Sequence, residues 1–138
     1  MRTATVLRVV LGLVLLATAA GKLLDVRGFA AVLGTYQAFP ESALAPLALA
    51  VPLAELVLAG WLFSGRRLIG AAAGALALHV VYAIWAAAAL ARGLRLPNCG
   101  CFGVFLPRPL GWRTVAEDLV LAGLSAWLLR IALARRKA

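Results

Sequence analysis

Asn98-Cys99-Gly100-Cys101-Phe102-Gly103 is the stretch of this sequence best suited to covalent chemistry. Its two cysteines are the only two in the chain, and a single residue separates them. Two unrelated core cysteines would seldom fall so close, so they form one thiol site and not a disulfide framework. A bond between them closes a very small, strained ring, and Gly100 supplies the backbone freedom that ring requires. Strain makes a disulfide easier to reduce, and labile disulfides tend to be catalytic or regulatory. Arg92, Arg95 and Arg108 lie in the same segment, where positive charge favours the thiolate, the reactive form. Two thiolates also bind soft metals such as Cu(I) or Zn(II), although no further cysteine completes such a set. A purely structural staple is the third reading, and a ring this small restrains little chain and so stabilises little.

Three more residues carry charge or protons inside apolar stretches: Lys22, Glu55 and His79. An acid in mid-membrane is costly and usually faces a partner. Glu55 stands nine residues before Ser64, and His79 eleven after Leu68. At the helical rise these are depths of about 13 and about 16 Å from one end of neighbouring antiparallel segments. A Glu55–His79 contact follows, with Lys22 as the rival partner. Functionally the acid would serve a proton relay or touch a quinone; otherwise it makes a buried hydrogen bond that holds helices in register. Tyr82 and Trp85 follow His79 at near-helical spacing, as quinone-pocket lining or as packing and interfacial anchors, and Trp112 reads as an anchor.

The elements that position these groups follow from composition. The chain has 138 residues, enough for one domain. Its hydrophobic fraction is 64% and its charged fraction 14%, against about 45–50% and about 25% in soluble domains. That excludes a soluble enzyme, a disordered tail and a disulfide-stapled secreted scaffold, and leaves an integral membrane protein. Four stretches approach the roughly 20 apolar residues a spanning helix needs: 6–24, 42–64, 68–91 and 115–134. The expected fold is therefore an all-α membrane four-helix bundle, one domain over residues 1–138. Thr114-Val-Ala-Glu117 has the form of a capping box at the start of the fourth span. The first span imitates a signal peptide, with Arg2, Arg8 and an Ala17-Thr18-Ala19 site. Its removal would leave an odd remainder of three, so it is read as a retained span.

The connections differ in kind. Ser64-Gly-Arg-Arg67 is a tight turn. Between Asp25 and Glu41, the residues Phe29, Leu33, Tyr36 and Phe39 recur at helical spacing before Pro40, which predicts a short amphipathic helix at the membrane surface. Residues 92–113 hold three prolines, four glycines and both cysteines, and a loop this long is expected to be ordered and functional.

Charge orients the chain. The sequence carries 14 Lys and Arg against 5 Asp and Glu, a formal +9. No basic stripe interleaved with aromatics is present, so nucleic acid is not an expected partner. With an even number of spans, eight cations collect on the side of the termini and six on the other, together with Asp25, Glu41, Glu117 and Asp118. The positive-inside tendency then sets the termini in the cytoplasm and the cysteine loop outside, where disulfide chemistry operates.

Gly21-Lys22-Leu23, Phe29, Tyr36, Pro52-Leu-Ala-Glu55 and Cys99-Gly-Cys-Phe-Gly103 before Trp112 resemble the methylamine-utilisation MauE family, which is related to DoxX-like four-helix membrane proteins. The resemblance spans nearly the whole chain, and the Cys-Gly-Cys-Phe-Gly string is its most specific part. It implies thiol redox or disulfide formation at the cell membrane, outside the cytoplasm, beside a thioredoxin-like partner. In the methylamine system the family supports maturation of a disulfide-rich dehydrogenase subunit. Membrane disulfide oxidases of the DsbB and vitamin K epoxide reductase types relay electrons through two cysteine pairs, whereas this chain has one. It must therefore exchange directly with a partner, a quinone, or both. The expected activity is that of a thiol-disulfide oxidoreductase, with Cys99 attacking, Cys101 resolving, and Gly100, Phe102, Gly103 and Arg95 in support. The rivals are capture or transport of a soft metal by the same thiolates, and a non-catalytic membrane scaffold that recruits a partner.

Overall fold

The computed structural model describes residues 2–137 and is all-helical among them. Four long helices, α1 (Arg2–Leu23), α3 (Glu41–Ser64), α4 (Leu68–Ala91) and α5 (Trp112–Lys137), form a bundle, and the short α2 (Val26–Thr35) lies between the first two. The expected bundle, short helix and cysteine loop are all present. α1, α3 and α4 are long and apolar enough to cross a membrane. α5 is of matching length, but Glu117 and Asp118 near its start and Arg130, Arg135 and Arg136 towards its end make it the most polar of the four.

Each long helix turns one stripe inward and leaves large apolar residues outside. On α1 the buried stripe is Ala4, Leu7, Leu11, Leu15, Ala19 and Lys22, the three- and four-residue spacing of one helix face. Val6, Val9, Val10, Leu13 and Leu16 of the same helix are exposed, as are Leu49, Leu53 and Val57 of α3 and Val80, Val81 and Ile84 of α4. Apolar surface on this scale faces lipid, not water. The buried stripe of α4 is Ala71, Ala72, Ala75, His79, Ala83, Ala86 and Ala89. Small residues let backbones approach closely where lipid gives no hydrophobic drive to helix pairing, and α4 accordingly packs most extensively on α5. α1 packs mainly on α3, and α1 also meets α5, whereas α3 and α4 share the least contact among adjacent long helices.

The termini end is closed by Leu7, Leu11, Leu15, Leu62, Ala71, Ala75 and Leu128. There Gly65, at φ 65°, ends α3, and Arg8 donates to the carbonyl oxygens of Leu62 (3.0 Å) and Phe63 (2.6 Å). A cation on the last carbonyls satisfies acceptors that the helix itself leaves free. At the opposite end Asp25 caps α2, its Oδ1 accepting from the Gly28 N–H at 2.8 Å. α2 ends at Thr35, short of Tyr36 and Phe39, which the spacing had included; Gln37 adopts φ 50° and breaks the helix. α2 packs against α3 and buries Phe29.

The start of α5 also departs from expectation. The helix begins at Trp112, and the Gly111 N–H donates to Thr114 Oγ1 at 3.4 Å. Thr114 is thus the residue that reaches back to the cap and not the cap itself. Glu117 is drawn off by Arg108 (2.7 Å) and Arg113 (3.0 Å), a charged pull that a neutral backbone N–H does not match.

The cysteine loop is seated on α1 by two glycines. A Cβ at Gly21 would overlap the carbonyl group of Phe102, and a Cβ at Gly103 would overlap the carbonyl of Gly21. Gly103 also sits at φ 72°. We expect Gly103→Ala to cost about 2–4 kcal/mol, combining overpacking with a left-handed backbone. Thermal unfolding in detergent should show a lowered midpoint; an unchanged midpoint would mean the loop does not bear on α1.

Candidate functional site

Cys99 and Cys101 are joined by a disulfide, with their Cα atoms 5.5 Å apart. The hairpin-like base of their loop is tied by the Cys99 N–H donating to the Arg108 carbonyl (2.7 Å) and the Leu110 N–H to the Leu96 carbonyl (2.9 Å). Asn98 organises the tip: its Oδ1 accepts from the Gly100 N–H (2.9 Å), and its Nδ2 donates to the Gly103 carbonyl (3.0 Å). This local side-chain-to-backbone turn is typical of Asn. Gly100 adopts φ 78° and lies against Phe29 and Val32 of α2. The Tyr36 hydroxyl donates to the Cys99 carbonyl at 2.8 Å. Burial, followed by the charge of Asp118, pushes the Tyr36 phenol up to about 12, so it remains a donor across the physiological range.

Of the three arginines expected beside the thiols, two are engaged elsewhere. Arg92 donates to the carbonyls of Tyr36 (2.9 Å) and Gln37 (3.3 Å). Arg108 pairs with Glu117 and lies 5.8 Å from the Phe102 ring centroid. Arg95 is exposed. Free loop carbonyls and a carboxylate compete for these guanidinium groups, and a bonded sulfur carries no charge to hold them.

Beneath the loop lies a polar cluster inside the bundle. Lys22 Nζ donates to Glu55 Oε1 at 2.6 Å, with the residues 3% and 0% exposed. The Tyr82 hydroxyl donates to the same oxygen at 2.6 Å. Lys22 Nζ is 5.5 Å from the Tyr82 ring centroid and 5.7 Å from that of Phe29, distances suited to cation–π attraction. The expected Glu55–His79 contact is therefore replaced by Glu55–Lys22 and Glu55–Tyr82. Equal depth says nothing about rotation around the helix axis, and Glu55 belongs to the face of α3 that packs on α1. Both His79 nitrogens and Glu55 Oε2 are buried without a hydrogen-bond partner among the described residues.

Cluster and disulfide share one cavity of about 220 Å³. Its walls include Lys22, Phe29, Tyr36, His79, Tyr82, Trp85, Asp118 and both cysteines, with Leu47 and Val51 from α3. Tyr36 and Asp118 were not expected as site residues. In the sequence Tyr36 belongs to the amphipathic spacing after Asp25 and to the family resemblance, and Asp118 to the charge distribution; no spacing within the sequence joins either to the cysteines.

Fold and site together define a helical membrane protein in which a bonded cysteine pair closes one end of the bundle over a buried polar cluster. The chain belongs to the MauE family: the family described as Methylamine utilisation protein MauE matches residues 1–131. It is similar to the Methylamine utilization protein MauE of Paracoccus denitrificans, with 34% identity over 119 residues, 86% of this chain and 64% of that protein. No solved structure matches the chain.

Removing one partner of a buried ion pair strands the other charge, a loss of about 3–5 kcal/mol. Lys22→Met should destabilise by that order, and Lys22→Met with Glu55→Leu should recover most of it. A double-mutant cycle on unfolding in detergent measures this, and additive losses would mean the two side chains do not act as a pair.

Proposed function

We propose that the protein performs thiol–disulfide exchange at Cys99 and Cys101 with a thioredoxin-like partner outside the cytoplasm. The termini lie in the cytoplasm in this reading and the cysteine loop on the outer face of the cell membrane. The observation that carries it is the Cys99–Cys101 disulfide itself, closed across one residue in a loop braced by Asn98, Tyr36 and α1. A structural staple would add little here, because backbone hydrogen bonds already close the loop on both sides of the ring. Cys101 is partly exposed, and Phe105 and Leu106 in the same loop are strongly exposed, which offers a partner apolar surface on the loop that carries the disulfide.

Exchange begins when a partner thiolate attacks the Cys99 sulfur and the Cys101 sulfur leaves as the thiolate. The mixed disulfide is then resolved by the second thiol of the partner, which leaves the partner oxidised and both cysteines reduced. Run in reverse, the same steps reduce the partner. Gly100, Phe102 and Gly103 shape the loop in this scheme, and Lys22, Glu55 and His79 lie beneath it. The named relative is a methylamine utilisation protein, and the corresponding service here is disulfide formation in, or maturation of, a protein of such a system. Among the described residues no three His, Cys, Asp or Glu side chains gather as a ligand set, so in the soft-metal reading the two thiolates of the reduced pair would be the ligands.

Trapping tests the proposal. In Cys101→Ser, Cys99 should retain a partner as a mixed disulfide, seen as a heavier, dithiothreitol-sensitive band in membranes and identified by mass spectrometry. Cys99→Ser should retain far less. No captured thioredoxin-like protein, together with wild-type cysteines that never cycle between thiol and disulfide, would sink the redox reading.

A further inference from the structure

We propose that the cavity beneath the disulfide binds the ring of a lipid-soluble quinone, which reoxidises Cys99 and Cys101. The inference rests on the exchange reading above and gives it a direction. Three observations converge on it. The first is chemical. The chain has one cysteine pair, so an oxidant that restores the disulfide must reach those sulfurs themselves. The cavity does reach them, since Cys99, Gly100 and Cys101 form part of its wall.

The second is the character and placement of the space. Val14, Leu33, Leu47, Val51, Trp85 and Phe29 make it predominantly apolar. It lies where α3 and α4, the adjacent long helices with least mutual contact, leave a seam, and Val81 and Phe39 of its lining are exposed. A hydrophobic molecule can enter from the lipid without crossing water. A volume of about 220 Å³ is below the roughly 300–1,000 Å³ of sites that enclose a whole drug-sized ligand. It suits a single substituted ring whose tail stays in the seam.

The third is an unanswered hydrogen-bonding group. His79 lines the cavity, is 2% exposed, and has neither ring nitrogen partnered among the described residues. A buried polar group left in that state calls for an explanation, and a ligand is one. A neutral imidazole has one N–H donor, which matches a quinone carbonyl. Lys22 and Tyr82 also line the space but are committed to Glu55, so His79 is the residue positioned to receive the ring oxygen.

The balance closes with the partner dithiol as reductant. Exchange with it oxidises the partner and leaves Cys99 and Cys101 as thiols. The two thiols give up their protons, and one sulfur adds to the quinone ring with formation of an S–C bond. The second sulfur attacks the first, forming the S–S bond as the S–C bond breaks and leaves its electron pair on the ring. The quinone gains two electrons and two protons and leaves as the quinol.

The test uses full-length protein in detergent, reduced, freed of reductant and kept anaerobic. Ubiquinone-1 and menaquinone-1 are added in separate arms, and oxidised glutathione in a third. Wild type should lose two thiols per quinone reduced in at least one quinone arm, the arm that reacts identifying the ring type. In His79→Phe, and separately in Leu47→Trp, which fills the cavity from another helix, the ratio of quinone rate to glutathione rate should fall at least tenfold. Thiols that persist with both quinones, or a ratio unchanged in a folded variant, would overturn the site. Partner capture by Cys101→Ser involves no quinone, so failure here leaves the exchange reading to be judged on its own experiment.

Discussion

A charge can remain in the interior of a membrane bundle only if an opposite charge and further hydrogen bonds meet it there. Lys22 and Glu55 impose that condition on this protein. Lys22 ends the buried stripe of α1 and Glu55 is fully buried on α3, so their 2.6 Å contact fixes how those two helices are rotated against each other. Tyr82 reaches the same carboxylate oxygen from α4, which brings a third helix under the same constraint. Leucine and alanine packing tolerates small rotations of a helix, whereas this cluster does not. Register is thus specified by buried charge at the level of the candidate site, while the termini end combines apolar interdigitation with the Arg8 hydrogen bonds to the last carbonyls of α3.

The cysteine loop inherits its position from that cluster. Gly21 immediately precedes Lys22, and it is the point where α1 touches the loop through Phe102 and Gly103. Any turn of α1 that moved Lys22 away from Glu55 would also move Gly21 from under the loop. Tyr36 makes the complementary tie from α2 through the Cys99 carbonyl. The disulfide is held from two directions, and both ties run through backbone groups, while within the loop Cys99 Sγ accepts from the Cys101 N–H at 3.3 Å.

Much of the architecture is legible in the sequence because a bilayer permits few solutions: apolar stretches of this length become helices, and their order sets the topology. Glycine spacing around Cys99 and Cys101 likewise announces a turn of special geometry. Partner choice inside the bundle is another matter. Depth along a helix is readable from residue counts, which put Glu55 level with His79, but azimuth depends on how every stripe packs at once. Here the alanines of α4 draw it against α5, and Glu55 is met by Lys22 of α1 and by Tyr82 of α4 instead of His79. The arginines of the loop show the same limit. Net charge near the thiols is countable, yet Arg92 and Arg108 are taken up by carbonyls and by Glu117 that only the folded loop brings near. The polarity of α5 has a comparable origin: its charged ends are compatible with a bundle helix because Arg108 and Arg113 meet Glu117 at one of them.

The unequal closure of the bundle is itself informative. Small residues along α4 are spent on α5, and α1 is committed to α3 and α5, so the seam between α3 and α4 is where packing is thinnest. α3 carries Pro46 and Pro52, each of which removes a backbone donor from the helix ladder on the stretch that lines the cavity with Leu47 and Val51. Low contact density favours local opening, and α3 and α4 share less contact than the other adjacent long helices. The Lys22–Glu55–Tyr82 cluster crosses between α1, α3 and α4 beside this seam and limits how far it can yield. A bundle selected for packing alone would fill this seam and partner His79. This one keeps the space and, among the described residues, leaves both His79 nitrogens without a partner in the cavity whose wall the disulfide also forms.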